Sequence, residues 1–436
     1  MKRWRIEIIA ARCLAAAALA ILPVADGAHG VRAETASPVA GTLSPAALER
    51  IAGYIRNEIS TGNIAGANIL IHQHGKQVYF GSFGMRDAAS GLPMTPDSIF
   101  QLYSLSKAVT STAAMMLVEE GRLSLDDPVE KYIPSFMKVK VGVEKKAADG
   151  AKTLELADPV RPMTIRDLLR HTSGITYGFY GESMVRKLYA NPQLYEGDFD
   201  NAEFADRIAK LPLADQSATR WDYGHSTDIL GRVVEVVSGQ TLYQFEKQRL
   251  FDPLGMPDTA YFVADQAQWP LIARPLPRDR FDRPLVSIWD PTIRRRWESG
   301  GAGLVSTIGD YARFAQMLLK RGTLDGRRYL KPETLALMAS DQIGPETGIE
   351  REPFYFPGPT SGFGLGFAVR TSSPPNTTWP LGEFRWAGAA GSFFCIDPVD
   401  DMFMVFLVHA RSQGSRLQLE LKTMVYEAMG KGLRKD

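Results

Sequence analysis

Ser104 and Lys107 stand three residues apart in the run Ser104-Leu105-Ser106-Lys107-Ala108-Val109-Thr110. On a helix that spacing puts a hydroxyl and an amine on one face, a turn apart. The amine can then take the hydroxyl proton and make a nucleophile without histidine. The same spacing recurs at Ser135 and Lys138. There, however, Pro134 precedes the serine and a Lys- and Val-rich stretch follows, so the two side chains have no shared face. Ser104 instead leads into Ala108, Val109, Ala113, Ala114, Met115, Met116, Leu117 and Val118. This stretch is too apolar for a surface helix and reads as buried in the middle of a domain. An amine in the first turn of such a helix is partly desolvated, which favours its basic form, and the helix N-terminus favours negative charge near Ser104. The plainer reading of the same pair is an N-cap serine and a snorkelling lysine.

Two further stretches could join this pair. In Trp221-Asp222-Tyr223-Gly224-His225-Ser226, a tyrosine followed by small and polar residues precedes an amphipathic helix. A phenol presented at a loop tip beside an ammonium is an acid/base pair; an interfacial aromatic with a wet hydroxyl is the alternative. Gly224-His225-Ser226 also imitates the start of a G-x-S-x-G nucleophile elbow, but Asp228 stands where the second glycine must be, and only His409 could complete a triad. In Trp386-Ala387-Gly388-Ala389-Ala390-Gly391-Ser392, glycines at a strand edge let a ligand approach the backbone, whose amide can serve as an oxyanion donor. A glycine-bearing bulge with Trp386 as core filler is the alternative.

The elements that must position these residues follow from periodicity. Ser44-Pro45 opens a helix with Leu48, Ile51, Ile55 and Ile59 on one stripe, and 67–73 and 77–83 flank His74-Gly75-Lys76 as a hairpin. His72 and His74 alternate without a third ligand, so no metal site is read there. From Ser104 to about residue 290 the texture is helical, apart from a small hairpin over Val139–Leu156. Gly362–Arg370, Ser392–Ile396 and Met402–Val408 read as strands, and a last helix carries Leu417, Leu421, Met424 and Val425. Strands near both ends with helices between them predict one antiparallel sheet carrying an inserted helical domain, with Ser104 at the seam.

Composition narrows the partners. The chain has 436 residues and a net charge of +1, which implies no field for nucleic acid; Arg294-Arg295-Arg296 reads as a solvated loop. Lys2, Arg3 and Arg5 precede an apolar stretch from Cys13 to Ala25, with cleavage sites after Gly27 and after Ala33. This predicts a signal peptide over 1–33, a periplasmic or secreted product and no membrane span after cleavage. Only Cys395 then remains, leaving no internal disulfide and no cysteine metal cluster.

Ser104-x-x-Lys107, Tyr223-Gly224-His225 and Trp386-Ala387-Gly388, in this order, resemble the motifs of the serine β-lactamase, penicillin-binding protein and esterase superfamily. Further similar segments are Met163–Ile175, Leu230–Gly239, Phe251–Thr259, Gly301–Leu319 and Gly362–Phe367, which together span nearly the whole mature chain. The resemblance implies an α/β (α+β) β-lactamase/transpeptidase-like domain over 41–436. Its sheet part would be 41–103 and about 291–436, and its mainly helical part 104–290. It implies acyl transfer to Ser104 with Lys107 and Tyr223 sharing the proton, an oxyanion held by the Ser104 and Ala389 amides, and His225, Trp386 and Gly388 next to the substrate, with no cofactor or metal. Relatives that hold β-lactam or peptide carboxylates use Lys-Thr-Gly where Trp386-Ala387-Gly388 stands here; a Trp-x-Gly motif is similar to the family VIII carboxylesterases, as is the hairpin after Pro134. The expected function is therefore an exported carboxylesterase acting on small or medium acyl esters. A β-lactamase or DD-peptidase, and a non-catalytic muropeptide-binding homologue, are the alternatives. Tyr177, Phe179, Tyr180 and Phe354-Tyr355-Phe356 are expected to line an apolar acyl pocket or pack in the core. The oligomeric state is left open.

Overall fold

The computed structural model describes residues 43–146, 148–278, 289–351, 353–411 and 413–431. The expected signal peptide, 1–33, lies outside the described residues. Eight strands form one sheet, in the order Ser361–Phe363, Ala368–Arg370, Phe384–Ala387, Gly391–Asp397, Met402–His409, Gly66–Gln73, Lys76–Asp87, Leu92–Pro93. Every neighbouring pair is antiparallel. The C-terminal strand Met402–His409 and the N-terminal strand Gly66–Gln73 lie side by side at its centre, so the two ends of the chain close the sheet.

The central strands are buried without interruption because both faces are covered, and the period of two divides their side chains between two cores. Met402, Met404, Phe406 and Val408 pack with Ile69, Ile71, Phe393 and the helices Pro45–Ser60 and Gly414–Ala428. Phe403, Val405 and Leu407 join Leu70, Phe394 and Trp386 in a larger core shared with the helices Ser106–Glu119 and Ser226–Ser238. That larger core lies on the face that carries the candidate site.

Most expected elements stand near their predicted places. The hairpin of Gly66–Gln73 and Lys76–Asp87 turns at His74, and the excursion after Pro134 is the two-stranded ribbon of Val141–Lys146 and Lys152–Ala157. One strand is different. The stretch expected as a single strand, Gly362–Arg370, is two short strands folded back on each other, Ser361–Phe363 against Ala368–Arg370. Gly366 between them has φ of 101°, a conformation that an L side chain disfavours and that a continuous strand does not contain. Ser104 also sits earlier than a helix N-cap: Tyr103–Leu105 is a 3-10 turn that runs into the helix at Ser106, and the serine hydroxyl caps nothing.

Candidate active site

The turn at Ser104 is held from both sides. Leu102 N–H donates to the Leu304 carbonyl at 2.8 Å, Leu304 N–H donates to Ser106 Oγ at 3.1 Å, and the Tyr311 hydroxyl donates to the Leu105 carbonyl at 3.1 Å. Tyr103, just before the serine, has φ of 48°, a left-handed conformation unusual for an aromatic residue, in a turn that leaves Ser104 half-buried at a cavity wall.

Lys107 is 1% exposed and reaches three oxygens: Ser104 Oγ at 3.3 Å, Tyr177 Oη at 3.1 Å and the Gly301 carbonyl at 2.7 Å. A carbonyl only accepts, so it holds one amine proton. In its basic form the amine has one more N–H and one lone pair for the two hydroxyls, and that lone pair can receive the Ser104 proton. Tyr177, expected as pocket lining, is thus the amine's partner. Burial pushes its phenol well above its usual range, with Tyr223 and Asp228 adding to the effect, so it stays protonated beside the lysine.

Tyr223 meets Lys107 through its ring face, with Nζ 4.7 Å from the centroid. Its hydroxyl oxygen is held elsewhere, by the Trp386 indole N–H at 3.2 Å. Trp386 lacks the charge of a lysine but keeps a donor on the phenol, a contact that reading it as a neutral replacement missed. The Tyr223 loop is pinned through its neighbour. Asp222 accepts from Arg186 at 2.7 Å and from Thr176 and Tyr180 at 3.1 Å each, tying the loop to the segment that carries Tyr177.

His225 is buried. Its Nδ1 lies 2.8 Å from Asp228 Oδ2 and its Nε2 2.9 Å from the Tyr195 hydroxyl. Asp228 Oδ1 accepts from Ser299 Oγ at 2.5 Å and from the Gly301 amide at 3.1 Å. Burial alone would raise the Asp228 carboxyl. Its hydrogen bond from His225, its electrostatic interaction with His225 and Lys107 and the Ser299 hydroxyl outweigh it and hold the group below its ordinary range. Asp228 entered the sequence reading only as the residue that spoils a G-x-S-x-G elbow, and Tyr195 did not enter at all. Ser226 is fully buried and pairs with Ser173 Oγ at 2.8 Å, away from the cavity.

The third stretch comes from the Phe384–Ala387 strand and the turn after it. Gly388 N–H donates to Ser392 O at 2.7 Å and Gly391 N–H to Gly388 O at 2.9 Å, which puts exposed Ala389 at the turn corner. A Cβ on Gly388 would lie 2.5 Å from the Leu102 carbonyl, so only glycine lets this turn press against the chain leading into Ser104. Ser104, Tyr223, His225, Trp386, Gly388 and Ala389 all border one cavity of about 770 Å³, with Tyr177, Phe179, Trp297 and Phe356 as aromatic wall. Among the described residues no group of His, Cys, Asp or Glu side chains could hold a metal ion, and no helix is long and apolar enough to cross a membrane.

A family model described as Beta-lactamase matches residues 51–422. The chain belongs to that family. It is a serine hydrolase of the β-lactamase/transpeptidase-like fold with esterase and acyltransferase relatives, and it resembles the family VIII carboxylesterases. Esterase EstB of Burkholderia gladioli is 28% identical over 90% of this chain and 99% of its own. Lovastatin esterase of Penicillium rubens is 32% identical over 81% of this chain and 90% of its own. Among solved structures, EstCE1, described as a hydrolase with promiscuous acyltransferase activity, superposes with a TM-score of 0.71 at 26% identity, over 87% of this chain and 99% of that one.

Proposed function

We propose that this protein is an exported carboxylesterase that hydrolyses small or medium acyl esters through an acyl-enzyme on Ser104. The observation that carries the reading is the Ser104 hydroxyl beside a buried lysine at an aromatic cavity whose third motif offers the Trp386 indole instead of an ammonium. Lys107 takes the Ser104 proton as Oγ bonds to the ester carbonyl carbon. The oxyanion draws on the Ser104 and Ala389 amides, both at the cavity. Tyr223 accepts from Trp386, which leaves its own proton for the departing alkoxide; Tyr223 then takes a proton from the water that attacks the acyl carbon, the Ser104 Oγ–acyl bond breaks to release the acid, and Lys107 returns its proton to Ser104 Oγ. EstB and lovastatin esterase support the reaction class by their names. The basic, then apolar, N-terminus supports export.

Turnover of p-nitrophenyl butyrate tests the reading. Ser104→Ala is expected to lower kcat by at least ~10³-fold, whereas Ser226→Ala keeps activity; the reverse pattern rejects Ser104 as nucleophile. Arg295, Arg385 and Arg411 also border the cavity and could meet a substrate carboxylate, a feature that favours a β-lactamase or peptidase. Nitrocefin turnover exceeding ester turnover would establish that reading instead.

A further inference from the structure

Hydrolysis as described uses Ser104, Lys107, Tyr223, Trp386 and two amides, and it leaves the Asp228–His225 pair without a task. A buried carboxylate is expensive to desolvate, so the polar groups that surround this one carry the cost of holding it in place. Both outer partners of the pair, Tyr195 and Ser299, border the cavity.

Ionised Asp228 only accepts, which fixes a proton on His225 Nδ1. With that proton on Nδ1, the Nε2 of the imidazole form is a lone pair, and the Tyr195 hydroxyl 2.9 Å away is placed to donate into it. Ser299 donates its single proton to Asp228 Oδ1 at 2.5 Å. Asp228 therefore commits both hydroxyl protons inward, one directly and one through His225. What Tyr195 and Ser299 can still offer a ligand is oxygen lone pairs. Around them the wall is aromatic: Tyr177 meets His225 edge-on at 4.4 Å between ring centroids, and Trp297 lies 6.3 Å from the Tyr195 ring.

We propose that Tyr195 and Ser299, held by Asp228 and His225, form an acceptor subsite that selects esters carrying a free hydroxyl beside the ester group, as in partial esters of polyols. The subsite calls for a donor, and hydroxyl, amide and ammonium groups all qualify. Arg295, Arg385 and Arg411 at the cavity disfavour a cation there, which leaves a neutral donor. Asp228 also receives the Gly301 amide, and the Gly301 carbonyl holds Lys107, so the subsite and the base share one support. A substrate hydroxyl bound at this wall would fix the ester relative to Ser104.

This inference rests on Ser104 being the acylated nucleophile, and the test separates the two. The ratio of kcat/KM for glycerol monobutyrate over propyl butyrate is measured on one enzyme preparation, so it is independent of the fraction folded. The native enzyme is expected to prefer the hydroxylated ester by at least ~10-fold, and Tyr195→Phe to reduce that preference to near parity. Ser299→Ala gives an independent reading and is expected to lower the ratio as well. A native ratio near one, or a preference unchanged in both variants, overturns the subsite while leaving the esterase intact. Preference for 2-aminoethyl butyrate over the glycerol ester overturns the neutral-donor assignment. Failure of a fluorophosphonate to label Ser104 would instead overturn the nucleophile itself.

Discussion

At the scale of single residues, the donor to the Tyr223 phenol is a neutral indole N–H at 3.2 Å. The Trp386 indole N–H keeps the Tyr223 oxygen occupied as an acceptor, which directs the phenol proton toward the substrate. Trp386→Phe preserves the aromatic wall and removes only that donor. A neutral hydrogen bond is worth about 0.5–1.5 kcal/mol, so kcat for p-nitrophenyl butyrate should fall ~2–10-fold with KM little changed. An unaltered kcat would show that the indole does not orient Tyr223. Ser104 and Lys107 were legible in the sequence because both lie in one turn followed by one apolar helix, where spacing alone determines proximity. Tyr177 was legible only as an aromatic, since nothing local distinguishes a pocket wall from a phenol that reaches a lysine 70 positions away. Tyr195 left no signal: a 3-10 turn at Pro192–Tyr195 delivers it to His225, and that contact exists only after folding.

At the scale of elements, the helix that carries Lys107 is tied to its neighbours by a buried carboxyl. Glu246 receives Thr110 Oγ1 from that helix at 3.0 Å and the Tyr261 hydroxyl at 3.0 Å, and burial pushes it up to about 8 despite both contacts. In the unfolded chain the same carboxyl titrates at its ordinary 4.5. Between those values the folded state holds the extra proton, so this group's contribution to stability is fully present at low pH and is lost as pH rises through about 8. Thermal melts at about pH 5 and about pH 9 should show the native protein losing more Tm than Glu246→Gln, by at least ~2 °C; equal losses would place the acid's titration elsewhere. Where periodicity was clean, as in the hairpin at His74 or the last helix, the elements were legible before the structure. Gly362–Arg370 was not, because a glycine at positive φ inside an apolar run looks like any other glycine in the sequence.

At the scale of the whole molecule, the sheet and its two cores follow from a pattern visible in the chain: strands at the ends, helices between them, and central strands largely apolar on both faces. Export is expected to be visible as processing, with N-terminal sequencing of the mature protein starting at Ala28 or Glu34; a product that retains Met1 would reject cleavage at either site. The pairing of Gly66–Gln73 with Met402–His409 has a bearing on when the enzyme becomes active. Ser104 and Lys107 are made early, but the Trp386 donor, the Ala389 corner and the strand that closes the sheet are made late, and such long-range pairings form slowly. Under the proposed mechanism, a growing chain therefore carries Ser104 and Lys107 before the rest of the site exists to use them. Esters met along the way are left alone until the C-terminal strands arrive.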